Sequence, residues 1–375
     1  MFSYHNLPIL KIGFIALALP FTLSANGQQL ANSYRYNRPV SATSNIASAD
    51  TVSTVANKTL LTYTPSKAEV AIPNLNPELS MSNTQERRQL MGYLKQSTTD
   101  NEVNYNQSRT KFLYTLANVF TKLRLYPLAM KTFLKTTAVK GDKHTDSLYQ
   151  NTDNSYLTVS TLDDSLVAKQ VALAAKPDFN KKKSNATTYQ YISNTLNDGK
   201  PAAAYAMLFH VKQPVPGKRK VHVWGNTGHT FITLIKYNVD STYSSFSFGF
   251  YPKKRNPLSA TPLVPVTSSV FKDDTEHQWD EVLGKFISKR RFDKILQLTK
   301  QYDKLEYHLS NNNCTDFSIK AAQLAGINID GTSGKWPLGE GNNPAATGQS
   351  ILEGKIINTD TGKANGVFVN TVVIP

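Results

Sequence analysis

The sequence predicts an α+β protein, with an antiparallel sheet packed on a helix that starts at Cys314, preceded by a helical segment and a flexible leader. Three patterns carry this reading. Residues 202–252 hold aromatic and β-branched runs between turn signals, which is strand patterning. Residues 315–325 (TDFSIKAAQLA) have helical spacing, with Gly326 as the stop. Residues 84–137 repeat apolar side chains at three- and four-residue steps.

At the start, Lys11 precedes an apolar run over residues 12–21 that is too short to span a bilayer comfortably. Small residues follow at Ser24-Ala25-Asn26-Gly27, so residues 1–27 read as a signal peptide cleaved after Gly27, or alternatively after Ala25. An uncleaved anchor is the other reading. No cysteine lies nearby, which excludes a lipoprotein anchor, and no later segment suits a membrane helix. The expected location is secreted or periplasmic.

Residues 28–84 are rich in Ser, Thr, Asn and Ala and read as a flexible leader. Residues 85–185 read as a helical segment followed by a polar loop. Within it, Phe112, Leu116, Val119, Phe120 and Leu123 form one stripe, and Leu128, Phe133 and Leu134 continue it after Pro127, which suits the start of a second helix. The segment looks like one helical hairpin, with Tyr126-Pro127-Leu128-Ala129 at its bend. The domain of interest spans residues 186–350. Its expected strands cover residues 202–211, 220–224, 228–235 and 243–252, followed by helices over 280–288 and 292–302 and a short extended piece at 305–309. After Gly326 the chain reads as loop, and residues 351–375 as a C-terminal tail.

Charge is lopsided, 42 Lys+Arg against 27 Asp+Glu, a formal net of +15. This favours acidic partners such as anionic envelope polymers, lipid headgroups or nucleic acid, although a simply basic surface explains it equally well. Basic clusters stand at Lys218-Arg219-Lys220, Lys253-Lys254-Arg255 and Lys289-Arg290-Arg291. No nucleic-acid fold signature accompanies them, so nucleic acid is not an expected partner and solvated edges are the leading account.

The single cysteine, Cys314, rules out an intramolecular disulfide. A lone thiol in an exported protein is a buried filler, an intermolecular link or a nucleophile. Cys314, Phe317, Ala321 and Leu324 share one helical stripe, so the thiol sits at the helix start on the edge of the buried face. The N–H groups and positive dipole end there favour a thiolate. A base must then come within reach. Among the seven histidines, His5 falls in the signal peptide, His144 and His277 in polar loops, His308 on an extended piece six residues before Cys314 that carries it some distance away, and His210 and His222 within strands. His229 opens a strand directly after Gly228, where a backbone or substrate can approach closely. Inert readings stand beside these: Cys314 as core filler, His229 as a strand-end residue bonded to a carbonyl, and Asp316 as a first-turn carboxylate. The spacing of His210, His222 and His229 does not suit a metal, and no cofactor is called for.

Gly228-His229 on a strand, followed far downstream by Asn313-Cys314-Thr315-Asp316-Phe317 opening a helix, resembles the circularly permuted papain-like cysteine hydrolases, the lecithin:retinol acyltransferase and NlpC-like group. The wider segments Gln213-Pro214-Val215-Pro216-Gly217 and Phe248-Gly249-Phe250-Tyr251-Pro252 look like those of an exported bacterial branch. The resemblance covers residues 200–350. It implies a permuted papain-like fold and a dyad of Cys314 and His229. Asn313 and the Cys314 backbone N–H would support the oxyanion. The residue that orients the histidine stays open among Ser245, Ser247 and Thr233. The function expected is an exported cysteine hydrolase that cleaves an amide or ester bond through an acyl-enzyme, acting on a peptide, cell-wall or acyl-lipid substrate, with cell-wall peptide favoured. Two alternatives are a non-catalytic envelope-binding or interaction protein on the same fold, and an antibacterial toxin domain.

Overall fold

The computed structural model describes residues 76–96, 107–139, 159–178, 184–223, 225–253 and 256–371. The signal peptide and most of the leader lie outside them, as does the lysine run at 181–183. The N-terminal part is helical: α1 (Pro77–Ser80), α2 (Thr84–Gln96), α3 (Gln107–Lys122), α4 (Tyr126–Val139) and α5 (Thr161–Ala174). The hairpin of α3 and α4 has Pro127 in the first turn of its second arm, where the missing N–H costs nothing. In contrast, α5 occupies part of the stretch read as polar loop. Ser160 and Asp163 close a capping box at its start, a local signal that outweighs the polar composition.

The remainder builds the sheet and its covering helices. The strands are β1 (Asn185–Thr187), β2 (Ala202–Lys212), β3 (His229–Asn238), β4 (Tyr243–Pro252), β5 (Val266–Thr267), β6 (Ser269–Asp273) and β7 (Glu281–Ile287). They are followed by β8 (Tyr307–His308), β9 (Ile327–Ile329), β10 (Ser333–Trp336), β11 (Gly339–Asn342), β12 (Ile356–Asn358) and β13 (Phe368–Thr371). Between them run α6 (Tyr189–Leu196), α7 (Lys289–Tyr302), α8 (Cys314–Ala325) and α9 (Pro344–Leu352). Seven strands form one sheet in the order β1-β6-β4-β3-β2-β7-β13, and every pairing in it is antiparallel. The α+β class is therefore as expected.

Helices cover both faces of the sheet. On one face, Met207, Phe209, Ile232, Leu234 and Leu283 pack against α6, α7, α8 and α9. On the other, Ala206, Leu208, Phe231, Ile235 and Val282 pack against α3 through Ala117 and against α4 through Tyr126, Met130 and Phe133. The alternation along β2, β3 and β7 sends successive side chains to opposite layers. A third apolar core lies within the N-terminal helices. No helix among the described residues is long and apolar enough to cross a membrane.

Several expectations fail here. The helix expected over residues 280–288 is strand β7, with all seven residues buried. A strand covered on both faces loses the polar alternation that would mark it. The stretch after Gly326 is structured, and the supposed tail supplies α9's last residues, β12 and the sheet's edge strand β13, which pairs with β7. Residues 220–223 make only an isolated bridge, Val223 to Asn226.

Candidate active site

Three elements deliver the site. Helix α8 begins at Cys314 because Asn313 caps it: its Oδ1 accepts the N–H groups of Thr315 (2.8 Å) and Asp316 (3.0 Å). Asp316 Oδ2 returns the favour by accepting the Asn313 N–H at 2.9 Å, completing a capping box. At the far end Gly326, at φ 83°, closes the helix in the left-handed conformation. Phe317 is fully buried one turn below the thiol, with its ring centroid 5.2 Å from that of Phe271. The sulfur is thus fixed by the helix and its packing.

His229 opens β3, opposite Lys212 of β2. The ladder from β3 to β4 runs only from the Ile232–Phe248 pair to the Tyr237–Tyr243 pair, so the mouth of β3 is not paired to β4. Helix α8 packs against β3 there, so Cys314 and His229 line one cleft and lie close enough for the charge of each to act on the other. Gly228 makes the approach to this mouth possible. Its φ is +71°, and a Cβ would overlap the Lys212 carbonyl and lie 2.8 Å from Pro214 and 2.9 Å from Pro344. The nearby Gln213 holds the turn, its Nε2 donating to the Ala345 carbonyl at 3.0 Å and its Oε1 accepting the Gly217 N–H at 2.6 Å.

The residue that orients His229 is Asp274, just past the end of β6. His229 Nε2 and Asp274 Oδ2 are 3.0 Å apart. The other carboxylate oxygen accepts the hydroxyls of Ser184 (2.6 Å) and Tyr251 (2.7 Å). Asp274 is completely buried, and the Tyr251 ring lies 4.1 Å from the imidazole, centroid to centroid. Space for this pair depends on Gly249 of β4, where a Cβ would overlap both His229 Nε2 and Asp274 Oδ2. The three candidates named from sequence do not take this role. Thr233 bonds His210 Nε2 (2.8 Å) and Ser247 (2.7 Å), a separate buried chain. Ser245 sits on β4 opposite Ile235.

Electrostatics link the three groups. Burial alone would lower the His229 pKa, but the Asp274 carboxylate and the Cys314 sulfur outweigh it and raise it to about 9. Burial would raise the Cys314 thiol, and the His229 charge, the Thr230 N–H and the Thr315 hydroxyl reverse this and lower it. Asp274 is pulled below the usual carboxylate range, since His229 and its hydroxyl donors overcome burial. Each charge thus favours the other: the carboxylate and the sulfur favour the imidazolium, and the imidazolium favours the thiolate.

Two further residues were not singled out from sequence. Tyr307 on β8 lines the same cleft as Cys314, and burial together with the sulfur's charge raises its pKa and keeps the hydroxyl protonated. His277, read as a loop residue, has its ring 5.1 Å from that of His229, and its Nδ1–H donates to the Gln278 carbonyl at 2.7 Å. Asn313 offers no spare donor to an oxyanion, because its two amide hydrogens go to the carbonyls of Leu309 (2.8 Å) and Asn342 (2.9 Å). Its support is positional. His222 accepts the Gly225 N–H at 3.0 Å, and His210 stacks on Phe231 at 4.3 Å.

Cys314, His229, His277 and Tyr307 line a cleft of about 580 Å³. Its remaining walls are mostly apolar, including Val221, Pro257, Ala260, Pro262, Leu309 and Trp336, and among the described residues no acidic side chain or arginine lines it. Lys212 does, with its ammonium 2.6 Å from Asp280. The described residues of the three basic clusters stand outside the cleft, so they do not converge on it; Arg219 and Arg291 pair with Glu353 and Asp360 instead. Compared with known protein families, characterised proteins and solved structures, the chain has no match.

Proposed function

We propose that this chain is an exported, thiol-dependent hydrolase of the permuted papain-like kind, which cleaves an amide or ester bond through an acyl-enzyme. The observation that carries the reading is the chain of interactions from Asp274 through His229 to Cys314 at the start of a buried helix. Asp274 holds Nε2, which leaves Nδ1 as the nitrogen that exchanges a proton with the sulfur. The thiolate attacks the carbonyl carbon, forming the C–S bond while the carbonyl π electrons move onto oxygen. The Cys314 N–H and the Tyr307 hydroxyl serve as donors for that oxyanion. Collapse breaks the C–N or C–O bond, and the leaving nitrogen or oxygen takes the proton from the imidazolium. Water, deprotonated by His229, then attacks the thioester and frees the cysteine.

Export and net positive charge favour an envelope substrate, with cell-wall peptide first. The apolar walls fit an uncharged group next to the scissile carbonyl. Two measurements test this. Iodoacetamide should alkylate Cys314 rapidly even near neutral pH, at about pH 7, whereas an ordinary buried thiol would react only in alkali. Cell wall digested with the protein should release fragments with new termini by mass analysis, and Cys314→Ser should release none while melting like the parent. Slow, alkali-dependent alkylation would defeat the reading.

A further inference from the structure

Thirteen large hydrophobic side chains are exposed among the described residues, and six of them belong to the segments that wall the Cys314 cleft or pair with those segments. Leu258, Leu263, Val264 and Val266 belong to the segment whose Pro257, Ala260 and Pro262 line the cleft, so one lip turns prolines inward and leucines outward. Leu305 precedes β8, which pairs with β5 of that lip. Leu338 tops the β10–β11 hairpin, whose Trp336 and Pro337 form another part of the wall. The other seven are spread along the chain from α1 to β12. Singly exposed leucines are ordinary; a concentration on the segments of one cleft is not.

The lips are also strained. Four described residues other than glycine have positive φ, and two of them are Ala260 (57°) and Leu338 (66°), one on each lip. Leu338 follows Pro337 at the turn position where glycine would sit without penalty, and at 77% it is the most exposed large hydrophobic among the described residues. Folding stability would replace it with glycine, so its side chain serves something outside the fold. The sequence around the first lip adds a charge signature. Residues 253–266 (KKRNPLSATPLVPV) carry Lys253, Lys254 and Arg255 and no acidic residue, in a chain of net +15.

We propose that these two apolar lips are an interfacial surface, which docks the protein on an anionic lipid bilayer and turns the Cys314 cleft toward the membrane. Leucines on loop tips separated by an open cleft do not form the continuous flat patch of a protein interface. They suit a fluid acyl layer that closes around each tip, while the exposed Lys253 beside the first lip and the chain's net charge of +15 favour anionic headgroups. The surface is distinct from the bond-breaking groups, and it requires no particular scissile bond.

The test uses the full-length chain carrying Cys314→Ser and vesicles of phosphatidylcholine with or without phosphatidylglycerol. Co-sedimentation is expected with the anionic vesicles and only weakly with the neutral ones. The double variant Leu263→Asp/Leu338→Asp should reduce the bound fraction by about tenfold. Leu338→Gly, which removes the side chain and relieves the turn, should lower binding while the melting temperature holds or rises. Equal binding by the parent and both variants, or no sedimentation with either vesicle, would overturn the proposal. So would a concentration-dependent dimer of the parent that both variants abolish, since the lips would then cover each other in a second copy. Binding is read without the thiol, so its failure leaves the hydrolase reading intact, and an unreactive Cys314 would leave the docking result intact.

Discussion

Asp274 determines how His229 is held. In the Asp274→Asn variant the carboxylate no longer stabilises the imidazolium, so turnover should fall roughly 10²–10⁴-fold with folding retained. The same change should move the alkaline limb of the pH profile. In the parent the imidazolium persists up to about 9, so kcat/KM should be lost as pH rises through that value and, on the acid side, as the depressed thiol is protonated. Without the carboxylate the His229 pKa drops, and the alkaline limb should shift to lower pH. Gly249→Ala should reproduce the loss by wedging a methyl group between ring and carboxylate. Cys314 and His229 were legible in the sequence because helix-start and strand-mouth signals are local. Asp274 was not: it sits 45 residues from His229 in a Lys-Asp-Asp-Thr-Glu turn that has the composition of a solvated loop, and its complete burial comes from Ser184, Tyr251 and His229 folding over it.

At the scale of elements, α8 carries the chemistry and its cap sets the geometry. Asn313→Ala removes four hydrogen bonds at once, two to the first turn and two that tie the helix start to Leu309 and Asn342. A loss of about 1–2 kcal/mol is expected from the cap alone, measurable by urea unfolding. A rise in the thiol pKa should accompany it, followed by the thiolate's ultraviolet absorbance, because the first-turn N–H groups then lose their fixed orientation. This element was fully readable: a polar cap, an apolar stripe and a terminal glycine agree with one another. Strand β7 was not, because Glu281–Ile287 is covered on both faces and shows neither period cleanly. The small strands β9 to β12 pair over only three or four residues, which leaves almost no trace in composition.

For the whole molecule, the N-terminal helices are part of the sheet's support. The Tyr114 hydroxyl of α3 donates to the Val369 carbonyl at 2.6 Å and accepts the Val369 N–H at 3.1 Å, gripping the edge strand from across the chain. Tyr237 similarly donates to the Pro127 carbonyl at 2.7 Å. Tyr114→Phe should destabilise the protein by roughly 1–3 kcal/mol, since both backbone groups of Val369 lose their partner; chemical denaturation would show a lower midpoint. The sequence supported a sheet and a helical segment as separate parts, but their union depends on contacts 255 residues apart, which no local pattern encodes. That separation also has a kinetic side. Because β13 is the last strand of the sheet and its clasp comes from α3, the barrier to folding includes closing one very long loop, and such topologies form slowly. A nascent chain would wait, unfinished and still threadable, until β13 emerged from the ribosome.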